Sequence, residues 1–412
     1  MQTNLAAFVR DTKEGREADA ILRKCVHCGF CNATCPTYQL LGDELDGPRG
    51  RIYLIKQMLE GAEVTRKTQL HLDRCLTCRA CETTCPSGVE YGRLADIGRK
   101  IVEERVARSP WDWLQRSVLS IVLPRRWLFG ALLAVGRALR PLLPAGLKDQ
   151  VPAPARSAGT WPQPRHARKM LVLAGCVQPA LAPEINAAAA RVLDCLGVSL
   201  IEVAQAGCCG AVRFHLNKQA AGKQDMRALI DAWWPHVAGG AEAIVMTASG
   251  CGAMVKEFAH LLEDDPDYRD KAQRITALTK DLAEVVAAEA AALTGALDAR
   301  LPERQSVAFH SPCTLQHGQQ VHGSVESILC SAGYQLTPVP DAHLCCGSAG
   351  TYSLLQPELS LRLRANKLAA LETGAPDTIA TANIGCLAHL QSGTGTPVRH
   401  WIELVDRRLA PA

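Results

Sequence analysis

Apolar positions are spaced differently in the two halves of the chain. In the first 105 residues the clearest pattern is Arg51 to Glu60 (RIYLIKQMLE), whose apolar spacing is that of a helix, entered from the turn signal Asp46-Gly47-Pro48-Arg49-Gly50. Beyond residue 166 the pattern changes to short continuous runs, Leu171-Val172-Leu173, Ile244-Val245-Met246 and Thr378-Ile379-Ala380. Such runs predict buried parallel strands, with helical stretches such as Glu184 to Leu196 between them. Between the halves, Trp111 to Lys148 is rich in leucine, alanine, tryptophan and arginine, and Asp112 is its only acid against six bases. Val151 to His166 carries four prolines and reads as a linker. The expected architecture is therefore multidomain α + α/β, divided at 1–105, 106–166, 167–300 and 301–412.

The 412 residues are 48% hydrophobic and 21% charged, the balance of a globular protein, and a formal net charge of +4 gives no reason to expect a nucleic-acid partner. The first apolar stretch is short and interrupted by Arg10, Asp11 and Lys13, so no signal peptide is expected and the protein should stay in the cytosol. Eighteen cysteines then need an explanation other than disulfides. Eight of them fall between Cys25 and Cys85, and the next is Cys176.

The first eight form two runs, Cys25-x-x-Cys28-x-x-Cys31-x-x-x-Cys35-Pro36 and Cys75-x-x-Cys78-x-x-Cys81-x-x-x-Cys85-Pro86. Each is the full bacterial ferredoxin pattern, in which three thiolates from one tight turn reach one cube and the fourth ligates the other. The expected ligand sets of two [4Fe-4S] clusters are thus Cys25, Cys28, Cys31 and Cys85, and Cys75, Cys78, Cys81 and Cys35. Paired structural zinc sites would need only two close cysteine pairs and leave the rest of each run unexplained. Pro36 and Pro86 are expected to end the local helix, and Arg49 and Arg51 to be solvated surface arginines.

In the middle segment the longest uncharged stretch, Trp127 to Gly136, is shorter than the roughly 20 residues that span a bilayer. Trp111, Trp113 and Trp127 among Arg116, Arg125, Arg126, Arg137 and Arg140 suit a helix lying in a membrane interface, or one packed on a partner subunit or the next domain.

The second half contains a duplication. Cys176, Cys208-Cys209-Gly210 and Cys251 recur as Cys313, Cys345-Cys346-Gly347 and Cys386, displaced by 137, 137 and 135 residues. Each copy is expected to be one α/β unit whose four cysteines converge at the carboxyl ends of parallel strands. These Cys-Cys-Gly repeats resemble the cysteine-rich domains of the heterodisulfide reductases, which carry a further iron-sulfur centre. The resemblance departs at the last motif, where Ala248 and Asn383 stand in place of a cysteine. The four thiols of each copy could hold an additional cluster, another metal, or nothing; His310 and His343 beside them read as core or loop histidines.

The order of two ferredoxin runs, a basic apolar segment and two Cys-Cys-Gly repeats resembles the iron-sulfur subunits of bacterial glycolate oxidase, and the stretch Cys35 to Arg51 (CPTYQLLGDELDGPRGR) carries the closest match. The resemblance implies a helical two-cluster domain, FAD-containing dehydrogenase partner subunits, oxidation of glycolate and to some extent D-lactate, and electron delivery to the respiratory chain. A quinone or the cytoplasmic face of the inner membrane would be the next contact. No G-x-G-x-x-G after a strand and no phosphate loop is evident, so neither flavin nor nicotinamide is expected in this chain, and no catalytic residue. Other readings are the iron-sulfur subunit of an anaerobic glycerol-3-phosphate or lactate dehydrogenase, and a thiol-disulfide enzyme.

Overall fold

The computed structural model describes residues 1–142, 144, 151–297 and 305–409. The expected division at 300/301 and the end of the basic segment, 145–148, lie outside them.

The N-terminal part is helical. Lys13–Lys24, Pro48–Leu59 and Tyr91–Arg105 turn Ile21, Leu22, Ile55, Leu59 and Leu94 into one core, closed by Leu72 of Arg66–Asp73. The helix expected over 51–60 is most of Pro48–Leu59. Pro36 does not end a helix: it opens Pro36–Leu41, at the first helical position, where a missing N–H forfeits no intrahelical bond. The preceding turn, Phe30–Ala33, has already stopped at Thr34.

The second half is two four-stranded parallel sheets. In the first, β1 (Arg168–Val172), β2 (Val198–Glu202), β3 (Ile244–Met246) and β4 (Thr279–Asp281) stand in the order β2-β1-β3-β4. In the second, β5 (Ser306–His310), β6 (Gln335–Leu336), β7 (Thr378–Thr381) and β8 (Val398–His400) repeat it as β6-β5-β7-β8. The registers correspond: Leu171 pairs with Ile244, and Ala308 with Ile379. The two units share one apolar core, running from Val172 and Leu193 to Phe309 and Trp401. Their contact is reciprocal, helix Glu184–Cys195 packing on Trp401–Asp406 and Leu282–Ala288 on Ser324–Ser331. Polar ties lock it: Arg191 binds Asp406 at 2.6 Å and the His400 ring reaches the Thr247 carbonyl at 2.8 Å.

The basic segment is two helices, Pro110–Val122 and Arg126–Leu139, bent through 109° at their break. Pro124, which cannot donate to a continuing helix, stands in that break. No single helix among the described residues is long and apolar enough to cross a membrane.

Candidate functional site: two sulfur-lined cavities and two thiol sets

Each ferredoxin run folds as the same loop, and two positions in it take left-handed backbone. They are His27 and Gly29 in the first run (φ 59° and 88°) and Thr77 and Arg79 in the second (φ 55° and 59°). Only one of the four is glycine, and a β-branched Thr77 at positive φ is strained, at a cost on the order of 1–2 kcal/mol. The strain wraps the loop so that its three cysteines face inward. The first loop lines a hollow with about 440 Å³ of atom-free space, counting its open mouth, bounded by Cys25, Cys28, Cys31 and also Cys85. The second bounds one of about 370 Å³ with Cys75, Cys78, Cys81 and also Cys35. Each fourth cysteine thus faces the hollow of the opposite run; Cys81 also borders the first. Pro48, Cys81 and Tyr91 border both, so a single layer of side chains separates them. Four thiol sulfurs around each hollow fit a [4Fe-4S] cube and leave no protein ligand wanting.

The surroundings of the two hollows differ. In the first set Cys28 is exposed, Cys31 and Cys85 are half-buried and Cys25 is buried; in the second Cys35, Cys75 and Cys81 are buried and Cys78 is half-buried. Burial pushes the Cys31 thiol up to about 11. Around the second hollow burial also raises Cys78 and Cys81, but at Cys75 the charges of Arg51 and Arg99 and the Tyr91 hydroxyl outweigh it and bring the thiol below its ordinary value. Arg51, expected on the surface, is 1% exposed and borders this hollow. It donates to the His71 carbonyl at 2.7 Å and to Thr37 Oγ1 at 3.2 Å, while Thr37 Oγ1 lies 3.3 Å from Cys35 Sγ. Arg99, also buried, donates to Thr77 Oγ1 at 3.0 Å and the Leu72 carbonyl at 2.9 Å, clamping the strained loop. Arg49, also expected to be a solvated surface residue, is half-buried: it borders the first hollow and pairs with Glu44 at 2.5 Å.

The Cys-Cys-Gly motifs sit at the carboxyl ends of the sheets. Gly210 and Gly347 have φ of 84° and 88°, and a Cβ at either would lie 2.6 Å from the Gly222 carbonyl oxygen or 2.7 Å from that of Ser360. Both the twist and the close approach demand glycine. In the first unit Cys176 adjoins Cys208, and Cys209 adjoins both Cys208 and Cys251; in the second, Cys313 Sγ is 3.9 Å from Cys345 Sγ, and Cys346 adjoins Cys345 and Cys386. The adjoining Cys345 thiol, together with burial, holds Cys313 well above the ordinary thiol range. His317, not His343, supplies the ring contacts in this region, its two nitrogens lying near the His343 carbonyl and Thr83 Oγ1.

The N-terminal domain docks on both units. Cys78 packs beside Cys313 and Cys345 in an apolar cluster with Leu76, Tyr352, Leu359 and Leu363, and Arg79 binds Glu257 of the first unit at 2.7 Å. The second sulfur-lined hollow therefore abuts the thiol set of the second unit. No local pattern announces that contact, which joins residues more than 230 positions apart.

A relay of this kind, two four-cysteine hollows one side chain apart and leading to a third sulfur group, defines an iron-sulfur electron carrier. Comparison with known proteins agrees: the profile of a 4Fe-4S dicluster domain matches residues 21–89, and that of a cysteine-rich domain matches 170–256 and 307–391. The chain is 56% identical to the glycolate oxidase iron-sulfur subunit of Escherichia coli (strain K12), with 99% of each chain covered. It is 30% identical to a probable glycolate oxidase iron-sulfur subunit of Bacillus subtilis (strain 168), over 90% of this chain and 89% of that one. Lactate utilization protein A of Geobacillus thermodenitrificans (strain NG80-2) is 27% identical over 58% of this chain and 99% of its own. The chain belongs to the family of glycolate oxidase iron-sulfur subunits. It is an iron-sulfur electron-transfer subunit of an oxidoreductase and works with at least one partner subunit.

Proposed function

We propose that this chain draws electrons from an FAD-containing partner that oxidises glycolate, and to some extent D-lactate, and passes them toward a respiratory quinone. Glycolate oxidase is the complex named in its relatives. The observation that carries the reading is the pair of adjoining hollows. In this reading Cys25, Cys28, Cys31 and Cys85 hold one cluster and Cys75, Cys78, Cys81 and Cys35 the other. Each cluster takes up and gives back one electron, so two in series can divide the pair released by a hydroxyacid. The first site is the entry: its Cys28 is exposed, and Val26 and Phe30 beside it are 69% and 61% exposed, an apolar rim suited to a docked flavoprotein. Co-expression with its flavoprotein partners and affinity purification tests this. FAD-containing protein active on glycolate should copurify, and V26E/F30E should lower the copurified flavin at least about tenfold with cluster iron and sulfide unchanged. Copurification of a glycerol-3-phosphate dehydrogenase instead would overturn the substrate, and unchanged flavin in the variant would overturn the docking face.

We further infer a peripheral position on the cytoplasmic face of the inner membrane, held by the two bent helices. No residue of Arg126–Leu139 is buried, and Trp111, Trp113, Trp127, Leu132, Val135 and Leu139 are all exposed. That helix has no acid, and Arg125 and Arg126 stand at its start, which suits an anionic lipid surface. The purified chain should float with phosphatidylglycerol vesicles and much less with phosphatidylcholine, and W127E/L132E should abolish flotation. A wild-type chain that stays in solution would assign this face to a partner subunit.

A further inference from the structure

A large cavity remains where the N-terminal domain docks on the first cysteine-rich unit. It holds about 1350 Å³ of atom-free space, counting its open mouth, more than three times that of either sulfur-lined hollow. The turn Thr77-Cys78-Arg79 borders both this cavity and the second hollow, so one stretch of backbone faces two spaces. A molecule seated in the cavity would lie against Cys78, one of the four cysteines assigned to the second cluster. The facing wall is built by Ala211–His215, Gln219–Ala238 and Ser249–Lys256 of the first unit.

The lining combines apolar side chains, Ile97, Met254 and Leu261 among them, with acids and bases in near balance, so neither sign of charge is favoured and a neutral, partly apolar ligand fits best. Several of the charges are spent on docking: Arg79 binds Glu257 at 2.7 Å and His260 binds Glu17 at 3.1 Å. Asp96 and His215 are different. Asp96 Oδ1 and His215 Nδ1 approach only to 3.9 Å across the domain boundary, and among the described residues neither the carboxyl nor the ring has a hydrogen-bond partner. Burial pushes the Asp96 carboxyl up to about 6, against the pull of Arg99 and Arg79 and with Glu257 and Glu17 adding to the rise; burial also pushes the His215 ring down to about 4. Near neutral pH the carboxyl can load and release a proton, and the neutral imidazole has an N–H to donate. The stretch that supplies His215 and Gln219 to the cavity is tied to the basic apolar segment, Arg213 donating to the Ser120 carbonyl at 3.1 Å and Lys218 to Ser120 Oγ at 2.9 Å. The cavity thus stands next to the helices inferred to rest on lipid.

We propose that this cavity takes the ring of a quinone, with His215 donating a hydrogen bond to one carbonyl oxygen and Asp96 passing a proton to that same oxygen. The inference rests on the reading above that the electrons leave for a respiratory quinone, and adds the place and the residues. Reduction to the quinol consumes two electrons and two protons and turns both C=O groups into C–O–H. The electrons come from the hydroxyacid and reach the ring past Cys78. One proton passes through Asp96 to the oxygen held by His215; the other comes directly from water at the open mouth, which also reprotonates Asp96.

The test uses the full chain purified anaerobically, reduced with dithionite, freed of it and mixed with decylubiquinone, a short-tailed quinone. Loss of the EPR signal of the reduced chain follows reoxidation, and equilibrium dialysis against the oxidised chain follows binding. One quinone should bind per chain. A253W, which fills the cavity from Ser249–Lys256, and H215L should each weaken binding about tenfold or more. D96N should bind within about twofold of wild type yet be reoxidised on the order of a hundredfold more slowly. Ferricyanide, which takes one electron and no proton, should reoxidise all three variants as fast as wild type, which establishes that each has folded with its clusters in place. If the quinone reoxidises the wild type and binds A253W and H215L equally well, the cavity is not its site and the quinone reading stands without it. If D96N is slowed as much with ferricyanide as with the quinone, Asp96 acts through the fold and its proton role is overturned. Wild-type chain left reduced by the quinone would overturn the quinone reading itself, and this inference with it.

Discussion

Replacing Cys35 by alanine is expected to abolish the cluster bounded by Cys75, Cys78 and Cys81, although Cys35 belongs to the other run. Cys85→Ala should conversely abolish the one bounded by Cys25, Cys28 and Cys31. The fourth cysteine of each run borders the hollow of the other, and a cube deprived of one of its four thiolates loses a quarter of its protein anchorage. Each variant should lose roughly half of the N-terminal iron. EPR of the reduced chain distinguishes the two losses. Cys35→Ala should leave the same spectrum as Cys75→Ala, and Cys85→Ala the same as Cys25→Ala. If Cys35→Ala matched Cys25→Ala instead, the crossed ligation would be wrong. The effects should also differ in kind: the second site is buried against the second cysteine-rich unit, so its loss should loosen that docking, whereas loss of the exposed first site should not.

What the sequence disclosed and what it hid divide along the range of the forces involved. The cysteine runs, the duplicated α/β plan and the strands at 171–173, 244–246 and 378–380 were legible because each is encoded by spacing within a few residues. The 32-residue step from Cys313 to Cys345 even marked the thiols that meet. The residues that were misread depend on partners far along the chain. Arg51 looks like any arginine on a helix until Asp46, Thr37 and the His71 carbonyl close around it. Pro36 follows a cysteine that ends one turn, and only the helix it begins shows that it is a start. The packing of Cys78 on Cys313 and Cys345 had no signal in either segment.

Asp46→Ala is expected to be the most destabilising substitution of a residue that is not a cluster ligand. Asp46 is fully buried and lies between three cationic or potentially cationic groups, with Arg74 at 2.8 Å, the His71 ring at 3.0 Å and Arg51 at 3.5 Å. Its carbonyl also accepts from Thr37 Oγ1 at 2.8 Å, which ties the network to Cys35. Truncation removes the one carboxylate paired, among the described residues, with the buried Arg51 guanidinium, and breaking such a pair from one side costs about 3–5 kcal/mol, a large part of a domain's net stability. Denaturant unfolding of the N-terminal domain, followed by cluster absorption, measures it. Arg51→Met acts differently, because Asp46 retains Arg74 and His71. Its main effect should be on the second cluster, whose reduced form loses a nearby positive charge. Two unit charges a few ångströms apart at an effective dielectric near 20 interact by roughly 2–4 kcal/mol, so the potential should fall on the order of 100 mV. Redox titration by EPR reads this directly: the second cluster should become harder to reduce while the first, which Arg51 does not border, keeps its potential. An equal shift in both would mean that Arg51 acts through the fold rather than through its charge.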